Sequence, residues 1–336
     1  MDPISHLAFG RTIAALDSHR MLGPGTVAAC VIGAVTPDVD AVLMPFGWDI
    51  YLRLHQGGTH SLIGSLICAA MTAAALRLHW TRVRYLTLWL AASAGTSSHL
   101  LLDAISGADI QLFWPWGRTV SLPLFAMADP WLGGVLVFGL VMLLTRRRQS
   151  ARAGMAILMT VAILAGVKAV LYNRTRAVHG TTAGDVEFRR ADAEWGALTT
   201  WTTYETRADT VEAYRVDATS GAVTPLVRLS RGLDVPVVVR SRELASVRHM
   251  AAAHGVTFAT VTEADGNQQE ILWSDLRYCG AAGSTKGSWP PWAPTPAGGS
   301  PVSCALWFGG NFDVASQTFR ATIVRVGSYV QRRSLR

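Results

Sequence analysis

The stretch from Pro130 to Thr145 contains no charged side chain, and similar apolar runs recur through the first half of the chain. A helix of this kind has no polar face for water, so it needs a bilayer or a large protein core around it. The composition agrees, because 50% of the 336 residues are hydrophobic and only 16% are charged. Soluble domains carry about 25% charged residues. We therefore exclude a plain cytosolic enzyme, a disordered chain and a small disulfide-dense domain.

The net positive charge of the chain is better explained by membrane topology than by nucleic-acid binding. The formal net charge is +7, and only Lys168 and Lys286 are lysines, so arginines supply most of the positive charge. Several arginines lie in short clusters between apolar runs, at 77–84 and 146–152. The positive-inside rule places such clusters in cytoplasmic loops. We expect the lipid bilayer as a partner and no nucleic acid.

Hydrophobic periodicity predicts two domains. Residues 1–173 are predicted to form an α-helical membrane bundle of about five to six short or broken membrane helices, and residues 174–336 a β-rich extracytoplasmic domain. The predicted helices are Ile4 to Leu16, Val27 to Phe46, Ser61 to Leu78, Tyr85 to Ile105, Trp131 to Thr145 and Ala153 to Tyr172. Several are shorter than the roughly 20 residues that a bilayer requires. Such helices are tolerated where they line a cavity or are buried in protein.

The second half alternates between apolar and polar residues with a period of two, which predicts antiparallel strands. The predicted strands are Thr199 to Thr206, Val211 to Val216, Val235 to Arg240, Val256 to Val261, Glu270 to Leu276 and Thr318 to Val326, and 279–303 is predicted to be a long loop. With the arginine clusters inside, the last helix exits outward. Cys279 and Cys304 would then lie in an oxidising compartment, where they could form a disulfide. We see no removable signal peptide in the sequence.

Ionisable residues in or beside the apolar helices carry the predicted chemistry, because an unpaired one at membrane depth costs several kcal/mol. Four motifs have this placement: Pro37-Asp38-Val-Asp40, His55-Gln-Gly-Gly-Thr-His60-Ser, His99-Leu-Leu-Leu-Asp103 and Asp129-Pro130. The spacing of His99 and Asp103 puts both side chains on one face of a helix, where they can reach one ion. Taken singly, each motif has a structural alternative: an intrahelical hydrogen bond, a helix cap or a loop position.

The predicted topology places these groups at the outer ends of the helices, so they can share one site. His6 joins them if the first helix starts on the outer side. Imidazole nitrogens with carboxylate oxygens suit zinc, with manganese or iron as alternatives, better than calcium. The other histidines are predicted to be surface or interfacial residues: His19, His79, His179, His249 and His254.

The order of these motifs resembles the YdjM-like family of bacterial membrane-bound metal-dependent hydrolases, whose type member is described as LexA-binding. The resemblance covers about residues 1–175 and also includes Ile4-Ser-His6 and Trp114-Pro115. It implies an inner-membrane, multi-pass protein with these candidate ligands or acid/base groups: His6, Asp38, Asp40, His55, His60, His99 and Asp103. Two departures are that Gln56 stands where relatives often have Arg, and that 104–109 lacks the Tyr-Gly-Thr of many relatives. The ligand pattern also resembles, more loosely, the zinc-dependent phospholipase C group.

These observations lead to the hypothesis of a hydrolase that acts at the outer face of the inner membrane. It would use one to three divalent ions to cleave an ester or phosphoester, such as that of a lipid. His6, Asp38, Asp40, His60, His99 and Asp103 are the predicted metal ligands, and His55 and Asp40 the predicted catalytic residues. A metal-stabilised scaffold without turnover and a transporter are the alternatives. In the β-rich domain, Trp273, Asp275 and Arg277 either pack internally or belong to a lid over the site.

Overall fold

The structure is a computed structural model that describes residues 1–16, 24–47, 50–51, 54–55, 57–117, 119–145, 150–179, 185–253, 255–264, 267–281, 302–326 and 329–335. The chain divides into two compact units. The helical unit comprises Met1–Val42 and Leu54–Tyr172, and the β unit comprises Leu43–Arg53 and Asn173–Arg336.

The first part of the chain is helical, as the sequence predicts. Its α-helices are α1 (Pro3–Ala14), α2 (Pro24–Gly33), α3 (Leu62–His79), α4 (Tyr85–Ile105), α5 (Pro130–Thr145) and α6 (Ser150–His179), with 3-10 segments at Thr36–Phe46 and Gly58–His60. Polar caps fix two of the starts. Asp2 accepts a hydrogen bond from the Ser5 amide at 2.9 Å, and Ser61 accepts one from the Gly64 amide at 3.0 Å. Such caps satisfy amide groups that the first turn leaves without partners.

Fewer helices qualify as membrane spans than the sequence analysis expected. Among the described residues, Leu62–His79 and Ala151–Val178 are long and apolar enough to cross a membrane. A third span results if α2 and the 3-10 segment that follows it, which are bent by 45°, count as one. The expected five to six spans are therefore not confirmed. Helix α4 has the length but not the hydropathy, because its second half carries Thr96, Ser98, His99 and Asp103, all of them buried.

Small residues let α2 pack closely against α4. A β-carbon added at Gly33 would lie 2.4 Å from the Ala92 carbonyl oxygen, and one added at Gly95 would lie 2.1 Å from the Cys30 carbonyl oxygen. Both distances are far below van der Waals contact, so only glycine fits at either position. This close approach brings the backbone just after α2 to the face of α4 that carries His99.

The second part of the chain contains two antiparallel sheets. The first has the order β1-β2-β3-β4, and the second the order β11-β10-β9-β6-β5; β7 and β8 form a separate pair. The strands are β1 (Phe188–Ala193), β2 (Thr200–Thr206), β3 (Thr210–Asp217), β4 (Val223–Ser230), β5 (Thr257–Ala264), β6 (Gln268–Asp275), β7 (Cys279–Ala281), β8 (Val302–Cys304), β9 (Leu306–Asp313), β10 (Thr318–Val326) and β11 (Tyr329–Ser334). Helices α7 (Pro236–Ser241) and α8 (Ala245–Ala253) lie between β4 and β5 in the chain.

The β unit is built in three layers around the five-stranded sheet. One face of this sheet packs against the four-stranded sheet, with Phe258, Leu272 and Ile323 contacting Tyr204 and Val211. The opposite face packs against the two helices through a second cluster, which includes Ile271, Phe308, Val238 and Val247. Alternation along the strands thus sends successive apolar side chains into two cores.

The structure differs from the sequence prediction in one strand and one loop. Val235 to Arg240, predicted as a strand, is the helix α7, because Pro236 occupies its first turn and Val238 turns into the core. A short run of valines carries no periodicity that separates strand from helix. Of the predicted loop 279–303, the two ends form the β7–β8 pair, and 282–301 lies outside the described residues, as does Gln56.

Candidate metal centre

The helical unit gathers the predicted site residues from four places in the sequence. His6 comes from α1, Asp38 and Asp40 from the 3-10 segment after α2, His55 and His60 from the turn before α3, and His99 and Asp103 from α4. Three groups of side chains have ligand atoms that all lie within 4.8 Å of one another. The groups are His6, Asp38 and His99; Asp38, His55 and His60; and His60, His99 and Asp103.

Four ligand atoms form the centre of this cluster. They are Nε2 of His60, Nε2 of His99, Oδ1 of Asp38 and Oδ2 of Asp103. The two imidazole nitrogens are 3.1 Å apart. His60 Nε2 lies 3.3 Å from the Asp38 oxygen and 3.5 Å from the Asp103 oxygen, and the corresponding distances from His99 Nε2 are 3.5 and 3.1 Å. We call this arrangement the four-ligand centre.

Backbone contacts fix the protonation of His99. Its Nδ1 lies 2.8 Å from the Ala34 carbonyl oxygen, which only accepts hydrogen bonds, so Nδ1 carries the proton. In the neutral ring Nε2 is then an acceptor that faces the other three atoms. Acceptors this close to one another, in a setting where His60 and His99 are fully buried, need a proton or a cation between them.

The spacing of the four-ligand centre fits a metal ion. Tetrahedral zinc, with bonds of about 2.0–2.1 Å, keeps its ligand atoms about 3.3–3.4 Å apart. The five distances of this centre that involve an imidazole nitrogen range from 3.1 to 3.5 Å. The described His and Asp groups could therefore hold a divalent ion.

His6 lies beside this centre. Its ring stacks on the His99 ring with the centroids 3.8 Å apart, and its Nε2 is 3.3 Å from Asp103 Oδ1. Within the described part of the chain, neither ring nitrogen has a partner in hydrogen-bond geometry, although the ring is completely buried. A buried imidazole without a hydrogen bond is costly, and a ligand would relieve that cost. His6 thus lies with the other predicted site residues, whereas the predicted start of the first helix on the outer side stays a prediction.

Asp40 has different contacts from the other acidic residues. Its carboxylate lies 3.0 Å from His55 Nδ1, accepts a hydrogen bond from the Thr59 hydroxyl at 3.0 Å, and is 3.5 Å from His60 Nδ1. It belongs to none of the three groups named above. Asp40 thus contacts two imidazoles on the side away from their Nε2 atoms. That Asp40 is a metal ligand and a catalytic residue stays a prediction.

The side chains of the cluster differ in how far they are exposed. The side chains of His60 and His99 are fully buried, whereas that of His55 is 21% exposed and that of Asp38 is 33% exposed. His55 stands at an angle to His60, with the ring centroids 4.9 Å apart. A molecule from outside would therefore meet His55 and Asp38 first.

Several contacts of the site were not predicted from the sequence. No sequence motif identifies the Ala34 carbonyl or the Thr59 hydroxyl as a hydrogen-bond partner of the site, although Thr59 stands beside His60 in the predicted turn. The amino group of Met1 contacts the Asp103 carboxylate. Asp129, the fourth acidic motif, caps α5 by accepting hydrogen bonds from the amides of Trp131 and Leu132 at 2.9 and 3.2 Å.

The singled-out residues of the β unit have internal contacts. Arg277 forms a buried ion pair with Asp275 at 2.9 Å, and the Trp273 indole donates to the Ser241 hydroxyl at 2.7 Å. Burial alone would lower the pKa of Arg277, but the Asp275 carboxylate raises that pKa well above its ordinary value. Cys279 and Cys304, opposite each other in the β7–β8 pair, form a disulfide.

Apolar spans together with a buried His/Asp cluster define an integral membrane protein with a candidate metal centre. The family described as YdjM inner membrane protein matches residues 1–176, more than half of the chain, and the chain belongs to this family. The match includes every residue of the cluster.

A similar protein is the "Uncharacterized protein YfhP" of Bacillus subtilis (strain 168), which is 29% identical over 140 residues. The similar region covers 39% of this chain and 43% of that protein, so the chain spans less than half the length of this relative. No solved structure matches the chain significantly.

Proposed function

We propose that the protein is a metal-dependent hydrolase of the bacterial inner membrane that cleaves an ester or phosphoester, with a lipid as the natural substrate class. The observation that carries the proposal is the four-ligand centre, in which the Nε2 atoms of two buried imidazoles lie 3.1 Å apart and each lies 3.1–3.5 Å from a carboxylate oxygen of Asp38 and of Asp103. His60, His99, Asp38 and Asp103 would hold the ion, with His6 as an additional ligand. Zinc is the metal that these donors favour, followed by manganese and iron.

A divalent ion at such a centre lowers the pKa of water toward ~7 and so supplies a nucleophile at neutral pH. Residues of the chain hold the histidine rings in the orientation that this role requires. Ala34 holds the His99 ring in the tautomer that presents Nε2. Asp40 orients His55 through its Nδ1 atom, as carboxylates behind metal-binding histidines commonly do. The Thr59 hydroxyl, which donates to Asp40, lies 3.1 Å from Nδ1 of His60 and so links that ring to the same carboxylate.

His55 is the residue best placed to move a proton. It is the most exposed imidazole of the cluster, and its Nδ1 contacts the Asp40 carboxylate, which fixes the orientation of the ring. When water adds to the ester carbon or phosphorus and the bond to the leaving oxygen breaks, His55 delivers a proton to that oxygen. The reaction then releases an alcohol and an acid without a further reactant. This role makes Asp40 a positioning residue, not a ligand.

The proposed orientation puts the site and the β unit outside the cytoplasm. Its support is the Cys279–Cys304 disulfide, because disulfides persist in oxidising compartments and are rare in the cytosol. The arginine clusters that the positive-inside rule assigns to the cytoplasm agree with it.

Metal content tests the proposal most directly. The detergent-purified full chain is loaded with zinc or manganese, desalted and analysed for metal, beside the variant His99→Ala/Asp103→Ala and the matched control His79→Ala on α3. We expect stoichiometric metal in the wild type and the control, and its loss in the double variant. Well-folded wild type without metal would contradict the metal centre.

Hydrolysis is then measured on a panel of phosphoester and carboxylic ester substrates, including phospholipids. Metal-dependent turnover that the His99→Ala/Asp103→Ala variant lacks supports the hydrolase. Metal binding without turnover on any substrate would instead favour the scaffold, in which the ion only fastens broken helices together.

A further inference from the structure

The segment between α4 and α5 displays three large aromatic side chains to the outside of the helical unit. Phe113 is 56% exposed, Trp114 45% and Trp116 84%. Leaving such side chains in water forfeits a large part of the hydrophobic free energy that burial provides. We call residues 110–120 the aromatic loop; Arg118 within it lies outside the described residues.

The aromatic loop is held in shape by its backbone. Ile110 and Val120 close its base through two backbone hydrogen bonds, of 3.2 and 2.8 Å. At its tip, the amides of Trp116 and Gly117 both donate to the Phe113 carbonyl, at 3.0 and 3.1 Å. A β-carbon at Gly117 would lie 2.4 Å from the Phe113 β-carbon, so the turn requires glycine there. The aromatic side chains are therefore presented by an ordered turn.

The depth of the loop follows from its attachment to a membrane span. The Leu62 amide, at the first residue of α3, donates to the Leu112 carbonyl at 2.9 Å. Helix α3 is long and apolar enough to cross a bilayer, so its first residue lies near one membrane surface. Phe113 follows Leu112 directly, and His60 precedes Leu62 by two residues. The aromatic loop and the four-ligand centre thus lie at the same end of one span.

We infer that the aromatic loop is a membrane-interface anchor, which sets the His/Asp cluster at the depth of the lipid headgroups. Tryptophan is enriched at this depth, because the ring prefers the interface to both water and hydrocarbon. The occupant we assign to the exposed aromatic face is the bilayer itself and not a protein partner. The loop is also tied to the site, since the Ala108 amide donates to the Asp103 carbonyl at 3.1 Å.

A fluorescent label reports the depth without any need for hydrolysis. Cys30 and Cys68 are buried and Cys279 is bonded to Cys304, so a cysteine introduced by Trp116→Cys in the full chain offers an accessible thiol for a polarity-sensitive dye. The protein is placed in nanodiscs of phosphatidylcholine and phosphatidylglycerol. We expect blue-shifted emission that lipids with a nitroxide near the headgroup quench. The same label at Ala222→Cys, in an exposed turn of the β unit, is the control for a water-like emission spectrum.

Two results would overturn the anchor. Emission at position 116 as red as at position 222 means that the loop lies in water. Blue-shifted emission that lipid nitroxides do not quench means that protein, such as a second copy of the chain, covers the loop. Phe113→Cys provides a second label position if Trp116→Cys misfolds. Because these readouts involve no substrate, the anchor can fail while the hydrolase proposal stands, and the reverse also holds.

Discussion

At the scale of single residues, the carboxylates of the cluster contact different nitrogens of the histidine rings. Asp103 Oδ2 is 3.1 Å from the Nε2 of His99, whereas Asp40 contacts the Nδ1 atoms of His55 and His60. Charge and burial are alike for the two carboxylates, so neither property distinguishes them, whereas the ring nitrogen that each one faces does. This difference can be measured.

Neutralising the two acidic residues should weaken metal binding to different extents. We expect Asp103→Asn to abolish stoichiometric metal binding, because it removes a charged ligand. Asp40→Asn should keep the stoichiometry at saturating metal but weaken affinity by about 10–100-fold, the usual loss for a residue that orients a ligand. Competition with a chelator of known affinity measures both. An affinity loss in Asp40→Asn as complete as in Asp103→Asn would make Asp40 a ligand and contradict the positioning role.

The turn after β3 predicts a pH dependence in the β unit. The Thr219 hydroxyl and the amides of Thr219 and Ser220 donate to the Asp217 carboxylate and lower its pKa from 3.8 to about 2. A depressed pKa in the folded state contributes stability above the unfolded value, and that stability is lost as the pH falls from 3.8 through about 2. Asp217→Asn should flatten this part of the profile of unfolding temperature against pH. An unchanged slope in the variant would show that other groups determine it.

The residues of the site were largely predictable, but their roles were not. A His or Asp in an apolar segment needs a partner, so the motifs pointed to His60, His99, Asp38 and Asp103 without any structure. Which nitrogen each ring presents depends on the Ala34 carbonyl and on Asp40, which come from distant parts of the chain. Sequence spacing contains no such information.

At the scale of elements, the crossing of α2 and α4 positions the site, and glycine sets the distance between the two helices. Gly95 lies on the contact surface, where an added β-carbon would be 2.1 Å from the Cys30 carbonyl and 2.8 Å from the Ala34 amide. Backbone atoms cannot move aside as the end of a flexible side chain can. Any separation of the helices also moves the Ala34 carbonyl away from His99.

Gly95→Ala should therefore cost both stability and metal binding. Overpacking of this kind destabilises by about 1–3 kcal/mol. The control is Gly166→Ala in α6, where an added β-carbon meets nothing within 4 Å and the alanine favours the helix. Thermal unfolding in detergent and chelator competition measure the two effects. Equal stability of the two variants would mean that the α2–α4 contact is looser than the structure has it.

Elements were predicted best where the apolar pattern is long. The predicted Tyr85 to Ile105 and Thr318 to Val326 coincide with α4 and β10. The five to six predicted spans are not confirmed, because among the described residues only two helices, or three spans with the bent pair, are long and apolar enough to cross a membrane. Strands β1, β4, β7, β8, β9 and β11 were missed. β4 and β11 expose residues on both faces and most of β9 is buried, so alternation is weak in these strands.

At the scale of the whole molecule, the proposed orientation assigns a compartment to each end of the spans in the helical unit and to the β unit. The family match covers 1–176 and so concerns the helical unit, whereas the disulfide belongs to the β unit. The arginine clusters and the disulfide support the proposed orientation independently, because positive-inside arginines determine topology during insertion and the disulfide reports the redox environment afterwards.

The disulfide therefore decides the proposed orientation. In cells, we expect Cys279 and Cys304 to resist alkylation until a reductant is added, which is measured as a mass shift on the variant Cys30→Ala/Cys68→Ala that retains only this pair. Alkylation of both thiols before reduction would place the β unit in the cytoplasm. Cys279→Ser/Cys304→Ser should lower the free energy of unfolding of the β unit by about 3 kcal/mol, because the bond closes a long loop in the unfolded chain. Since the Cys residues lie far from the His/Asp cluster in sequence and belong to the other compact unit, metal content should remain unchanged in this variant.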